Sequence, residues 1–102
     1  MNTLDTTDHD DWLAGVLDRL QRTFETQSAH LADLTATIPD PSDISAHASL
    51  LAASRQSLAD TVAALRRIEN GYYGTCVVCS TPIARDRLEL LPHARTCVSC
   101  PR

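Results

Sequence analysis

The sequence has no lysine, only three glycines, and aromatic residues at 4% of its 102 positions. Four aromatic side chains, Trp12, Phe24, Tyr72 and Tyr73, cannot fill a wide globular core, which disfavours an enzyme with a large pocket. Long apolar runs are missing too, since the longest, residues 50–53, is far shorter than the roughly 20 residues of a membrane span. The composition therefore predicts a soluble protein with one small domain, or a small domain plus an extended element.

Basic side chains are scarce in the first half of the chain. Residues 1–43 contain nine acids against two arginines, a net charge of −7, whereas residues 44–102 contain seven arginines against four acids, a net charge of +3. A chain of formal charge −4 with so few basic residues has no broad basic face for duplex DNA, so we expect no sequence-specific DNA binding. No basic residue precedes Arg19, which disfavours a secretion signal, and we expect a cytoplasmic monomer.

Leucine and alanine dominate the apolar residues, and their heptad spacing predicts two helices. The first helix is expected to start near Asp10 and to end at Ile38, because the prolines that follow cannot continue it. The second is expected to end near Asn70 and Gly71, where glycine can adopt the left-handed conformation. The first apolar series is Leu13, Leu17, Leu20, Phe24, Gln27, Leu31, Leu34 and Ile38, and the second is Ile44, Ala48, Leu51, Arg55, Leu58, Val62, Leu65 and Glu69.

Two helices of similar length with a short connection predict an antiparallel hairpin. We expect a disordered acidic segment over 1–9, a coiled-coil hairpin over 10–70 with its tip near 39–43, and a separate module over 71–102. A hairpin symmetric about Pro41 places Ile38 opposite Ile44 and Gln27 opposite Arg55. The latter pair is either a buried polar layer that fixes the register or a wet edge from which Arg55 extends into water.

Four cysteines form two Cys-x-x-Cys pairs, Cys76 with Cys79 and Cys97 with Cys100, separated by 17 residues. Each pair makes a tight knuckle with two sulfurs, and two knuckles complete the closed tetrahedron of one structural zinc ion. The alternatives are two disulfides, which are disfavoured without a secretion signal, and a redox dithiol, which lacks a surrounding βαβ pattern. His93 is a possible substitute ligand, although four thiolates leave it no necessary role. Metal binding is expected to supply most of the module's folding energy, on the order of 10 kcal/mol.

The stretch from Leu65 to Cys79, which reads LRRIENGYYGTCVVC, resembles the signature of the DksA/TraR family of bacterial transcription regulators. The continuation is similar as well, with Pro82-Ile83, Arg87-Leu88-Glu89, Pro92, Ala94, Cys97 and Cys100. The acidic turn over 40–43 resembles the tip motif of the family's coiled coil. The resemblance implies a mainly α protein, an antiparallel two-helix coiled-coil hairpin followed by a small four-cysteine zinc finger.

The resemblance also implies a partner and a mechanism. Family members bind RNA polymerase rather than DNA, and their coiled coil enters the secondary channel so that acidic tip residues approach the active centre. Carried over, Asp40 and Asp43 are the tip acids. An alternative is helix capping alone, because Asp40, Pro41 and Asp43 also suit the start of a helix.

Three departures from the family pattern stand out. Ser45 occupies the place of the tip alanine, and Ser80 replaces the glycine after the second cysteine. Members that respond to the alarmone ppGpp have basic residues at the places held here by Leu91 and Pro101, so we expect a weak or absent response.

Two other functions stay open from the sequence. One is a zinc-ribbon adaptor that binds an acidic protein or nucleic acid through Arg85, Arg87 and Arg95. The other is a thiol or zinc redox switch in which oxidation ejects the metal. No nucleophile–base pair or open metal position indicates an enzyme.

Overall fold

The protein is a long helical hairpin with a small cysteine-containing module at its open end. The computed structural model describes residues 3–100, with side chains from Asp8 onward. Helix α1 spans Thr3–Ala36, one turn of 3-10 helix spans Pro41–Asp43, helix α2 spans Ile44–Glu69, and a short helix α3 spans Arg85–Leu90. The principal-axis extents are 61 × 27 × 21 Å. None of the helices in residues 3–100 is both long and apolar enough to cross a membrane.

Helix α1 begins at Thr3 rather than near Asp10, inside the segment that the sequence predicts to be disordered. Acidic residues in the first turns of a helix interact favourably with its dipole, which supports this longer start. Arg85 of α3 also contacts it, because its guanidinium pairs with Asp8 at 3.2 Å. The first two residues of the predicted disordered segment, Met1 and Asn2, lie outside the described residues.

The antiparallel hairpin is confirmed, but its predicted register is wrong. The Thr61 hydroxyl donates a 2.8 Å hydrogen bond to Gln27 Oε1, so Gln27 lies beside Thr61 rather than Arg55. Arg55 is exposed to solvent, as the second interpretation of that residue expected. The predicted layer of Ile38 against Ile44 does not bury either side chain, since they are 93% and 58% exposed.

The hairpin core lies at its open end, which we call the base, and consists of Val16, Leu20 and Ala64. The buried residues of α2 are Thr61, Ala64 and Arg67, and none belongs to the predicted second apolar series. The small side chains of Thr61 and Ala64 allow close approach of the two helices, whereas the larger Leu58 and Leu65 are only half-buried beside the contact. Beyond Leu20 and Thr61, towards the tip, neither helix has a buried residue.

Helix α2 ends at Glu69, next to the predicted Asn70-Gly71 stop. Gly71 has φ +83°, Tyr72 N–H donates to the Arg67 carbonyl at 3.0 Å, and Gly71 N–H donates to the Ile68 carbonyl at 3.1 Å. This pair of hydrogen bonds is a Schellman motif, which satisfies the last carbonyls of the helix and turns the chain sharply. The turn sends the chain from α2 directly into the cysteine module.

Candidate metal centre

All four cysteines of the two Cys-x-x-Cys pairs lie together. Their sulfur atoms, from Cys76, Cys79, Cys97 and Cys100, are all within 4.8 Å of one another. The distance from Cys79 Sγ to Cys97 Sγ is 3.7 Å. Four sulfurs around Zn²⁺ at about 2.3 Å each are about 3.8 Å apart, so the donor atoms and their spacing fit one tetrahedral zinc ion. The four cysteines are thus positioned to bind one metal ion.

Backbone hydrogen bonds of the chain build the two knuckles. In the first, Ser80 N–H donates to the Cys76 carbonyl at 2.9 Å, and Cys76 N–H donates to the Thr81 carbonyl at 2.8 Å. In the second, Cys100 N–H donates to the Cys97 carbonyl at 3.2 Å. Val77 N–H donates to the Arg95 carbonyl at 2.9 Å and joins the first knuckle to the chain before the second. Each pair of sulfurs is therefore set by local turns, and one long-range bond helps to hold the knuckles together.

Hydrogen bonds at the sulfurs favour the deprotonated form that binds metal at Cys76 and Cys97, and the protonated form at Cys100. Backbone hydrogen bonds from Cys79 and then Cys97 lower the pKa of Cys76 to about 6. The backbone of Ser99 lowers the pKa of Cys97 in the same way. Hydrogen bonding with the other sulfurs, Cys79 first, raises the pKa of Cys100 to about 12. Metal binding is thus expected to release the proton that Cys100 holds at neutral pH.

Ser80 has a positive φ of 64°, which lies in the left-handed region that favours glycine. The DksA/TraR pattern has glycine at this position. A non-glycine residue in the left-handed region raises the free energy of the folded state by roughly 1–2 kcal/mol. Glycine avoids this cost, but it also gives the unfolded chain more conformational freedom, which offsets part of the gain in stability. We expect Ser80→Gly to raise the free energy of unfolding by about 1 kcal/mol in zinc-saturated buffer, measured by urea denaturation. Ser99→Gly is the matched control in the second knuckle, where φ is not positive, and it should give no gain. Equal effects of the two substitutions would contradict this explanation.

The finger has a core of its own, but a very small one. Its buried apolar residues are Cys76, Ile83, Leu88 and Ala94, of which Cys76 also contributes a sulfur to the cluster. The large apolar residues between the two knuckles are Ile83, Leu88, Leu90 and Leu91. The structure buries some of them and exposes others. Ile83 and Leu88 are 5% and 2% exposed, whereas Leu90 is 80% exposed.

Side-chain hydrogen bonds to main-chain carbonyls attach the finger to the base of the hairpin. Arg19 of α1 donates to the Glu89 carbonyl, and buried Arg67 of α2 donates to the His93 carbonyl at 3.1 Å. Within the finger, the Tyr73 hydroxyl donates to the Pro92 carbonyl at 2.7 Å, and Tyr73 packs against the hairpin core. Burial lowers the pKa of Arg67 and raises that of Tyr73 to about 12. These contacts place the metal centre at the opposite end of the molecule from the tip.

Trp12 joins the two cores. It packs against the hairpin cluster and the finger cluster, and its ring centroid lies 6.3 Å from that of Tyr73. The Arg85 guanidinium lies 4.6 Å from the Trp12 ring centroid, which is a cation–π contact. No sequence pattern predicts these roles of Trp12, Arg19 and Arg67, and the one signal is the position of the sole tryptophan in the first predicted turn of the first helix.

The structure also locates the arginines of the adaptor alternative. Arg85 pairs with Asp8 and stacks on Trp12, and Arg87 donates through Nε to the Thr96 carbonyl at 3.1 Å. Two of the three arginines are therefore used within the protein, which weakens the case for a basic recognition surface on the finger.

Asp40 and Asp43, the predicted tip acids, lie at the far end of the hairpin, and both are exposed. Each occupies a helix N-cap position, yet neither carboxylate makes a side-chain capping hydrogen bond. The contact between them is in the backbone, where Asp43 N–H donates to the Asp40 carbonyl at 2.8 Å. Among residues 8–100 no ion pair involves either carboxylate. Capping by hydrogen bonds therefore does not account for the two acids.

Leu91 lines a cleft of about 300 Å³ between α2 and the finger. It is one of the two residues that predict a weak ppGpp response. Asp60, Arg87 and Arg95 line the same cleft. Pro101, the other position, lies outside the described residues.

A long two-helix hairpin that carries four clustered cysteines at its base defines a C4-type zinc-finger protein with a helical arm. Residues 71–101 match the family model of the prokaryotic dksA/traR C4-type zinc finger. The chain is similar in structure to transcription factor DksA2 from Pseudomonas aeruginosa, with 25% sequence identity and a TM-score of 0.54. That match covers 95% of this chain and 82% of the DksA2 chain. No curated protein matches this sequence. The resemblance seen in the sequence is thus confirmed for the finger and for the fold.

Proposed function

We propose that this chain is a transcription regulator that binds RNA polymerase, enters its secondary channel with the hairpin, and acts there through Asp40 and Asp43. The observation that carries the proposal is the pair of exposed tip carboxylates without capping bonds, at the end of a molecule 61 Å long. The finger match and the similarity to DksA2 support it. We further propose that it works as a cytoplasmic monomer.

In this proposal the zinc ion has a structural role. Cys76, Cys79, Cys97 and Cys100 would hold it in a closed set of four thiolates, which would leave no position for water or substrate. The ion would supply folding energy and fix the finger against Arg19 and Arg67 of the hairpin. The finger would in turn hold the base of the hairpin, so that the tip extends from a rigid platform.

The test is binding to purified RNA polymerase together with transcription in vitro, comparing the wild type with Asp40→Asn/Asp43→Asn. Asparagine is as good an N-cap residue as aspartate, so the double variant should keep its melting temperature. We expect it to bind within about tenfold of the wild type, since two exposed charge pairs together contribute on the order of 1 kcal/mol, and to lose most of its effect on transcript yield.

A matched control is Glu25→Gln/Asp33→Asn, which removes two exposed acids from α1 at a distance from the tip. This control should bind polymerase and alter transcription like the wild type. Absence of polymerase binding by the wild type would refute the proposal. An unchanged transcriptional effect in Asp40→Asn/Asp43→Asn would refute the role of the tip acids.

A further inference from the structure

The tip, residues 39–43, is flanked by two of the most solvent-exposed aliphatic side chains of the described residues. Ile38 directly precedes it and is 93% exposed, and Ile44 directly follows it and is 58% exposed. The sequence predicts that they face each other in the last layer of the hairpin, and the structure shows that this layer does not form. Two isoleucines at the point of the hairpin that lies farthest from either core gain nothing from the fold of the isolated chain.

Charge restricts what could cover them. Residues 23–54, which form the distal half of the hairpin, contain Glu25, Asp33, Asp40 and Asp43 and no arginine or lysine. A second copy of this chain would bring like charges together, and the phosphates of a nucleic acid would be repelled in the same way. A complementary partner offers an apolar pocket with cationic groups beside it.

We propose that Ile38 and Ile44 are apolar anchors that bind in such a pocket of RNA polymerase, while cationic groups next to the pocket receive Asp40 and Asp43. This inference rests on the proposed function and names the chemistry of the partner site. Apolar anchors supply most of the binding free energy at an interface, and charged neighbours supply orientation and association rate. In this proposal the two isoleucines provide the affinity for polymerase, and the two acids provide the effect on transcription.

The experiment compares the wild type with Ile38→Ser/Ile44→Ser in binding to purified RNA polymerase at several salt concentrations. Full burial of one isoleucine changes affinity by roughly ten- to hundredfold, so we expect the double variant to bind at least about thirtyfold more weakly. Its melting temperature and helix content should match the wild type, because both side chains are already exposed. Its salt dependence should also persist, since both acids remain, whereas Asp40→Asn/Asp43→Asn should reduce the salt dependence with a smaller loss of affinity than the isoleucine variant shows.

Leu90→Ser is the matched control, because Leu90 is 80% exposed but lies on α3 at the other end of the molecule. It should bind like the wild type. Wild-type binding with an unchanged Ile38→Ser/Ile44→Ser variant would overturn the inference while leaving the proposed function in place. An equal loss in Leu90→Ser would also overturn it, since that indicates general stickiness. Failure of the wild type to bind would refute the proposed function itself.

Discussion

Chelation of the metal is expected to unfold the finger and to shift the fluorescence emission of Trp12 to longer wavelength, while most of the helical circular dichroism remains. Trp12 is the sole tryptophan, and it packs against the finger core, with the Arg85 guanidinium 4.6 Å from its ring centroid. Loss of the finger exposes the ring to water. Helices α1 and α2, of 34 and 26 residues, contain most of the helical residues and pack against each other without the finger.

The size of this effect follows from the finger core. Four buried apolar residues, one of them a cysteine of the cluster, cannot offset the conformational entropy that about 30 residues lose when they become ordered. Coordination by four thiolates contributes on the order of 10 kcal/mol at neutral pH. Without it the native finger is not the stable state. The hairpin should also melt at a lower temperature, because its base loses the cover of Tyr73 and Trp12 loses the finger core against which it packs.

The measurement is a titration with a zinc chelator, followed by Trp12 emission, circular dichroism and release of zinc to a coloured indicator. Cys79→Ser should reproduce the spectrum of the chelated protein without chelator. Ser99→Ala, which changes a residue between the cysteines of the second knuckle, should leave the wild-type spectrum. An unchanged emission after complete zinc release would show that the finger core folds without metal.

Leu88→Ala is expected to destabilise the zinc-bound protein by about 3 kcal/mol. Leu88 is 2% exposed, and it and Cys76 are the largest fully buried side chains among the described residues. Truncation of a buried leucine typically costs 2–5 kcal/mol, through lost burial and the cavity that remains. The middle of that range applies because the chain around Leu88 is held on several sides, by Gly74, by the knuckles and by the base of the hairpin, and cannot collapse freely.

Leu90→Ala is the natural comparison, because it makes the same chemical change two residues further along α3, at an 80% exposed position. It should alter the free energy of unfolding by no more than about 0.5 kcal/mol. Both variants are measured by urea denaturation in excess zinc, with bound zinc determined in parallel. Comparable losses for Leu88→Ala and Leu90→Ala would show that the packing of α3 in solution differs from the structure.

The metal centre was predictable from the sequence because its determinants are local. Two Cys-x-x-Cys knuckles need only short turns, and a second pair of cysteines leaves few alternatives to one shared metal ion. The end of α2 was predictable for a similar reason, since Gly71 supplies the positive φ that a Schellman motif requires. In both places, the residues that indicate the structure in the sequence are the same residues that form it.

The helix register was not predictable, because its determinants are long-range. Heptad spacing selects large apolar residues, whereas the closest contact of α2 uses Thr61 and Ala64, and Arg67 is buried by the finger instead. Gln27 was correctly placed at the interface of the two helices, yet its partner is Thr61, and buried Thr61 and Ala64 each lie one residue before Val62 and Leu65 of the predicted series. Near the start of α1, Asp8 pairs with Arg85, which is distant in sequence. No local pattern predicts that contact.

The attachment of the finger has a consequence for sequence drift. Arg19, Arg67 and Tyr73 all donate to main-chain carbonyls of the segment 89–93, so the accepting atoms exist whatever side chains that segment carries. Mutations can therefore change the outer surface of this segment, at Glu89, Leu90 or His93, without removing a docking bond. The donors have no such freedom, because a substitution at any of them leaves a carbonyl unpaired. The protein can diversify the face it presents to other molecules while keeping the joint between finger and hairpin constant.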